Sequence, residues 1–169
     1  MSERRLAIKL RPKQLKMPGT KFYLPYEELV GDILAHRQVL HMKNFNQHSK
    51  VTCFDHSIHV SYYSYLVCKF LKLDYKSTAR GALLHDFFLY DWHITKPYKG
   101  THAFSHSVIA LENAEQHFTL NAMEKDIIQK HMWPLTIRPP RFKESLIVSL
   151  TDKYCSILET FNICKWKKP

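Results

Sequence analysis

Five stretches of this chain place an imidazole or a carboxylate on the same helical stripe as their apolar residues, which commits the fold to helices closing around a polar interior. Over residues 53–73, His56, Val60, Tyr63, Val67 and Phe70 recur at spacings of four, three, four and three. After a break at 74–77, with Ser77 or Thr78 as the expected cap, Ala79, Ala82, Leu83 and Asp86 share the next stripe. His106, Ala110 and Ala114 line one side of a helix expected over 103–118, and Ile127, Ile128 and His131 one side of a helix over 121–131 that stops before Pro134. A last helix over 142–161 carries Val148, Asp152, Cys155 and Glu159 inward. Another is expected over 25–42, with Pro25 in its first turn and Glu27 and Glu28 at its positive end. Residues 43–52 and 92–101 read as loops, and no alternating strand pattern occurs. The expected fold is all-α, an irregular helical bundle.

A single inward histidine is ordinarily a core residue with a hydrogen bond. An inward aspartate is different, because burying a carboxylate without a cation or several donors costs several kcal/mol. Asp86 and Asp152 both face inward, and neither has Arg or Lys at helical spacing on its side. One shared metal ion answers both. His85 and Asp86 are adjacent at a helix end, where both side chains can turn toward one cation. With His56, His106, His131 and Asp152 they form the candidate ligand set.

Charge narrows the partners. The chain carries a net +10, but +9 of it lies in residues 1–21 and 165–169, leaving a nearly neutral body that is no nucleic-acid-binding face. The organisation expected is a basic irregular leader (1–22), a helical metal-binding domain (23–164) and a basic tail (165–169). Cys53, Cys68, Cys155 and Cys164 form no C-x-x-C pair, so reduced thiols and a cytoplasmic location are expected. No apolar stretch approaches a membrane span or a signal peptide.

The order His56, His85-Asp86, Asp152 resembles the HD-domain metal-dependent phosphohydrolases, an all-helical superfamily. The flanks that carry the resemblance are Asp55-His56-Ser57-Ile58-His59-Val60, Arg80-Gly81-Ala82-Leu83-Leu84-His85-Asp86 and Leu150-Thr151-Asp152-Lys153, and it covers about residues 25–160. His106 and His131 are similar in place to the two extra histidines of binuclear branches, with His102 as a rival for the first. The resemblance implies one metal held by His56, His85, Asp86 and Asp152, and a second held by His106 and His131 with Asp86 bridging. The ions implied are divalent transition metals (Fe, Mn, Ni, Co or Zn), which suit nitrogen and oxygen ligands.

The activity implied is hydrolysis of a phosphate ester, of a nucleotide or other small phosphorylated metabolite, by a metal-activated water. Asp86 is the expected catalytic carboxylate, and Lys99 and Arg138, on loops flanking the second pair of histidines, the expected substrate cations. Phe87-Phe88-Leu89-Tyr90-Asp91-Trp92 departs from the small residues and Lys that follow the HD pair in several catalytic branches. It reads as core packing or as an aromatic wall for a base. The departure also leaves room for a metal-binding sensing or scaffold domain without turnover. An RNA-associated role for the basic tails and an oxygenase are further alternatives.

Overall fold

The computed structural model describes residues 24–48, 51–92, 94 and 102–163. Among them run the helices α1 (Leu24–Leu34), α2 (Arg37–His41), α3 (Cys53–Phe70), α4 (Tyr75–Leu83), α5 (His102–His117), α6 (Ala122–Lys130) and α7 (Lys143–Thr160). A 3₁₀ turn (Met42–Asn44) leads from α2 into a short ribbon of β1 (Asn46–His48) and β2 (Val51–Thr52). The fold is all-α, as the periodicity predicts. No helix among the described residues is long and apolar enough to cross a membrane. The basic leader, the basic tail and Cys164 lie outside the described residues.

Local details differ from the sequence expectation for identifiable reasons. The single helix expected over 25–42 breaks after α1, where His36 turns extended and its Nδ1 accepts from the Gln38 backbone N–H, capping α2. The expected loop at 43–52 contains the antiparallel ribbon, with Asn46 opposite Thr52 and His48 opposite Val51. Strands this short and polar carry no alternation to read. Asp74, rather than Ser77 or Thr78, caps α4 by accepting from the backbone N–H groups of Lys76 and Ser77. Lys72 adopts a left-handed φ of 57°, and Leu73 N–H reaches back to Cys68 O at 2.9 Å, so α3 ends without a glycine.

The stripe on α3 is half right. His56 and Val60 are buried, but Val67 is exposed and Phe70 is 85% exposed. The buried side of the C-terminal half runs instead through Ser61, Ser64, Tyr65 and Cys68. Small polar residues hide this face from a hydrophobic reading while letting α4 approach closely. Tyr26 donates to Ser61 Oγ (2.8 Å), which donates to Ala79 O (2.6 Å), a buried relay joining α1, α3 and α4.

Helix α3 is the axis of the bundle, packed along α4 and α7, with α6 against α4, α5 and α7. At Gly81 a Cβ would meet Ile127 Cδ1 at 3.0 Å and the Glu124 backbone at 3.1 Å, so α4 and α6 approach closely enough that a side chain there would push its neighbours back by a few tenths of an ångström. Arg80 joins α4 to its neighbours, with Nη1 2.7 Å from Asp32 and Nε 3.3 Å from Glu124. That pairing places Arg80 in the helix layer. The two helices that must be close are also those whose C-terminal ends carry His85 and His131.

Candidate metal centre

Helix α4 stops at Leu83, and His85 and Asp86 occupy the turn just beyond it. A helix end leaves carbonyls without intrahelical partners. His85 Nδ1 donates to one of them, Ala82 O, at 2.7 Å. His131 repeats the device at the end of α6, with Nδ1 donating to Ile128 O at 2.8 Å. A carbonyl can only accept, so both rings carry a proton on Nδ1 and turn Nε2 into the interior. This is how metal-ligating histidines are ordinarily oriented. His56 reaches the same end by pairing Nδ1 with Glu159 Oε2 at 2.7 Å.

Four Nε2 atoms therefore converge on the Asp86 carboxylate, which is buried. Its Oδ2 lies 3.3 Å from His85 Nε2 and 3.9 Å from His56 Nε2. Its Oδ1 lies 3.4 Å from His106 Nε2 and 3.5 Å from His131 Nε2. Asp152 joins on the first side, with Oδ1 3.1 Å from His56 Nε2 and 3.7 Å from His85 Nε2. Two groups, His56–His85–Asp152 and His85–Asp86–His131, have ligand atoms spaced so that each could hold a metal ion. His106 adjoins the second, its Nε2 2.8 Å from His131 Nε2.

Two polar atoms at the centre of this cluster, His85 Nε2 and Asp86 Oδ1, are buried without a hydrogen bond of acceptable geometry. Leaving such groups unsatisfied costs about 1–3 kcal/mol each. A cation between them would satisfy both, and the residues present fit such an ion.

Protons partly fill that role in the cation-free protein. Burial depresses His56, but hydrogen bonds to Asp152 and Glu159 outweigh it and raise its pKa to about 9. Burial likewise opposes the charge on His85, and the Asp86 and Asp152 carboxylates carry it well above the ordinary histidine value. Burial would raise Asp86, yet His85 and the other imidazoles hold it well below the usual carboxylate range. Asp152 is depressed in the same way by His56 and His85. His131 goes the other way: burial, then the charges of His85 and His106, lower it to about 3.

The residues around the cluster hold it in place. Cys53 Sγ donates to Asp86 O at 3.2 Å, and Asn113 Nδ2 donates to Phe87 O at 2.9 Å, pinning the turn from α3 and α5. Gln47, on β1, donates its amide N–H to Asp86 Oδ2 at 2.6 Å. Glu159 takes His56 on one oxygen and His59 Nδ1 on the other at 2.8 Å, and its pKa is lowered to about 2 against the effect of burial. Lys153 Nζ donates to His131 O at 3.0 Å and to Ser149 O and Oγ at 3.1 Å, which seats the end of α6 on α7.

Of the residues singled out in the sequence, His56, His85, Asp86, His106, His131 and Asp152 are all brought together and buried. Lys99 and the side chain of His102 lie outside the described residues. Arg138 is exposed on the segment between α6 and α7. Phe87 and Phe88 are buried in the main core, and Phe88 sets its ring edge-on to His106 at 5.9 Å, so this pair packs the cluster from behind. Sequence reasoning assigned no role to Glu159, although it shares the inward face of Asp152. Gln47 stood in a polar loop, where nothing marked it.

The fold and site define an all-α domain with a buried histidine–aspartate cluster that could bind metal, compatible with an HD-type domain. Comparison with protein-family models, with curated proteins and with solved structures finds no significant match to this chain.

Proposed function

We propose that this chain is an HD-type, metal-dependent hydrolase of a phosphate ester, acting on a nucleotide or another small phosphorylated metabolite. The observation that carries the reading is Asp86 itself: a buried carboxylate with two imidazoles facing each of its oxygens and Oδ1 without a hydrogen bond. His56, His85, Asp86 and Asp152 would hold one divalent transition ion (Fe, Mn, Ni, Co or Zn). His106 and His131 would hold a second, with Asp86 bridging. When bound, such ions lower the pKa of a water to near neutrality and polarise a phosphoryl oxygen.

The chain's own residues do the rest. Asp86 would orient the attacking water by accepting a hydrogen bond from it, and the water oxygen bonds to phosphorus as the ester P–O bond breaks, the water's proton passing to the departing oxygen. Glu159, Ala82 O and Ile128 O fix the rings of His56, His85 and His131, so no reorientation is needed at the moment of reaction. Arg138 is the candidate for steering the substrate anion.

A second reading, a metal-binding sensing or scaffold domain without turnover, is favoured by one observation. Lys153, the cation adjoining Asp152, spends its hydrogen bonds on His131 O and Ser149. Elemental analysis of protein purified without oxygen or chelator, followed by a phosphate-ester panel, separates the two. The hydrolase reading expects close to two metals per chain, falling toward one in His106→Ala and His131→Ala, with turnover abolished in Asp86→Asn. A loaded protein inert across the panel supports the second reading. One that holds no metal removes both.

A further inference from the structure

Gln47 is a side chain outside the ligand pattern that touches the shared carboxylate itself. Its amide nitrogen donates to Asp86 Oδ2 at 2.6 Å, and its amide oxygen is buried with no hydrogen-bond partner. Turning the amide over does not relieve this, since it would press the oxygen against a carboxylate oxygen that also only accepts. The orphaned oxygen is therefore a consequence of the tie to Asp86. Amide geometry puts it about 2.3 Å from the nitrogen that makes the tie. Strand β1 packs against both α3 and α7, the helices that carry His56 and Asp152. The Asp86 oxygen it touches is the one facing His85 and His56.

We infer that Gln47 is a ligand of the centre: its amide oxygen coordinates the cation on the His56–His85–Asp152 side while its amide N–H holds the shared carboxylate. A carboxamide oxygen is a neutral hard donor, suited to completing a site otherwise made of imidazoles and carboxylates. This assignment rests on the metal-centre reading above and adds to it a ligand from the ribbon, an element outside the helices that carry the other six. The ribbon thereby acquires a purpose: packed on α3 and α7, it brings one side chain to the carboxylate.

The test is Co(II) titration of the apo full-length chain, followed by d–d absorption and by chelator competition, in wild type, Gln47→Met and Gln47→Glu. Methionine keeps the length and removes both amide functions. Glutamate keeps an oxygen donor at the ligand position but loses the N–H that holds Asp86. The assignment expects Gln47→Met to weaken Co(II) binding about tenfold or more and to shift the d–d bands. Gln47→Glu should bind at least as tightly as wild type, with a lower apo melting temperature and a larger rise on adding Co(II), because two adjacent carboxylates repel until a cation joins them. Equal weakening in both variants would reduce Gln47 to a hydrogen-bond donor for Asp86 and overturn the ligand role. So would binding within twofold of wild type in both. A wild type that takes up no Co(II) overturns the metal-centre reading together with this one, which distinguishes the two failures.

Discussion

The two sides of Asp86 are made of the same residue types but balance charge in different ways. On the Oδ2 side, His56 and His85 face two carboxylates and Glu159 supports the outer nitrogen of His56, so protonated imidazoles stand in for a cation. On the Oδ1 side Asp86 faces His106 and His131, and His131 is pushed toward neutrality. His131 Nδ1 must donate to Ile128 O, so its Nε2 presents a lone pair, and the 2.8 Å contact is satisfied only if His106 supplies the proton from Nε2. Asp86 Oδ1 is then left over. The comparison teaches that protonated imidazoles offset the carboxylates on one side and not on the other, while each side still leaves a buried polar atom, His85 Nε2 or Asp86 Oδ1, for a cation to meet.

The largest effect expected from breaking this arrangement is at the residue both sides share. Asp86→Ala leaves protonated His85 buried without its nearest carboxylate, costing the cation-free protein about 3–5 kcal/mol. It should also eliminate metal uptake on both sides. Calorimetry of the apo protein together with elemental analysis checks both.

A smaller effect, of opposite sign on the two sides, is expected from pH. His56 has a folded pKa of about 9 against an ordinary 6.5, so its stabilisation is fully present below 6.5 and is lost as pH rises through 9. His131 is lowered to about 3, so between 6.5 and 3 the unfolded chain binds a proton that the native one refuses, and stability falls as pH falls. Glu159, lowered to about 2, adds stability above the ordinary 4.5 that is lost as pH drops toward 2. Each histidine contributes a few kcal/mol at most. In denaturant melts of the chelated protein between about pH 3 and 9, the folded values of His131 and His56, His131→Asn should flatten the acid decline. Glu159→Gln should flatten the alkaline one and also remove Glu159's own share of the acid one. If Glu159→Gln leaves the alkaline limb unchanged, or His131→Asn alters it, the contrast between the sides is wrong.

The smallest effect is expected from Lys153→Met, which removes the donor to His131 O at 3.0 Å. About 1 kcal/mol of apo stability should be lost. Binding of the second equivalent of metal should weaken several-fold while the first is unchanged, as resolved by stepwise titration.

How much of this was legible beforehand depends on the element. Helices α5, α6 and α7 fall within a residue or so of their expected bounds because their apolar spacing is regular and their ends are marked, as at the Asn121–Glu124 capping box. The true face of α3 was not legible past Val60, since Ser61 and Ser64 pack by smallness and hydrogen bonding rather than by hydrophobicity. The ribbon and Gln47 were invisible, because β1 is polar and acquires its meaning only against α3 and α7.

The sequence by itself determined that six histidine and aspartate side chains on five segments would turn inward, because helical periodicity assigns a side chain to a face without knowledge of what lies opposite. The tertiary structure decided which Asp86 oxygen each imidazole meets, which nitrogen of each ring is tied back, and that Glu159, Lys153 and Gln47 share the site. Those are matters of a few tenths of an ångström between elements up to about a hundred residues apart in the chain, as with His56 and Glu159, and only close packing of helix against helix and ribbon sets such distances.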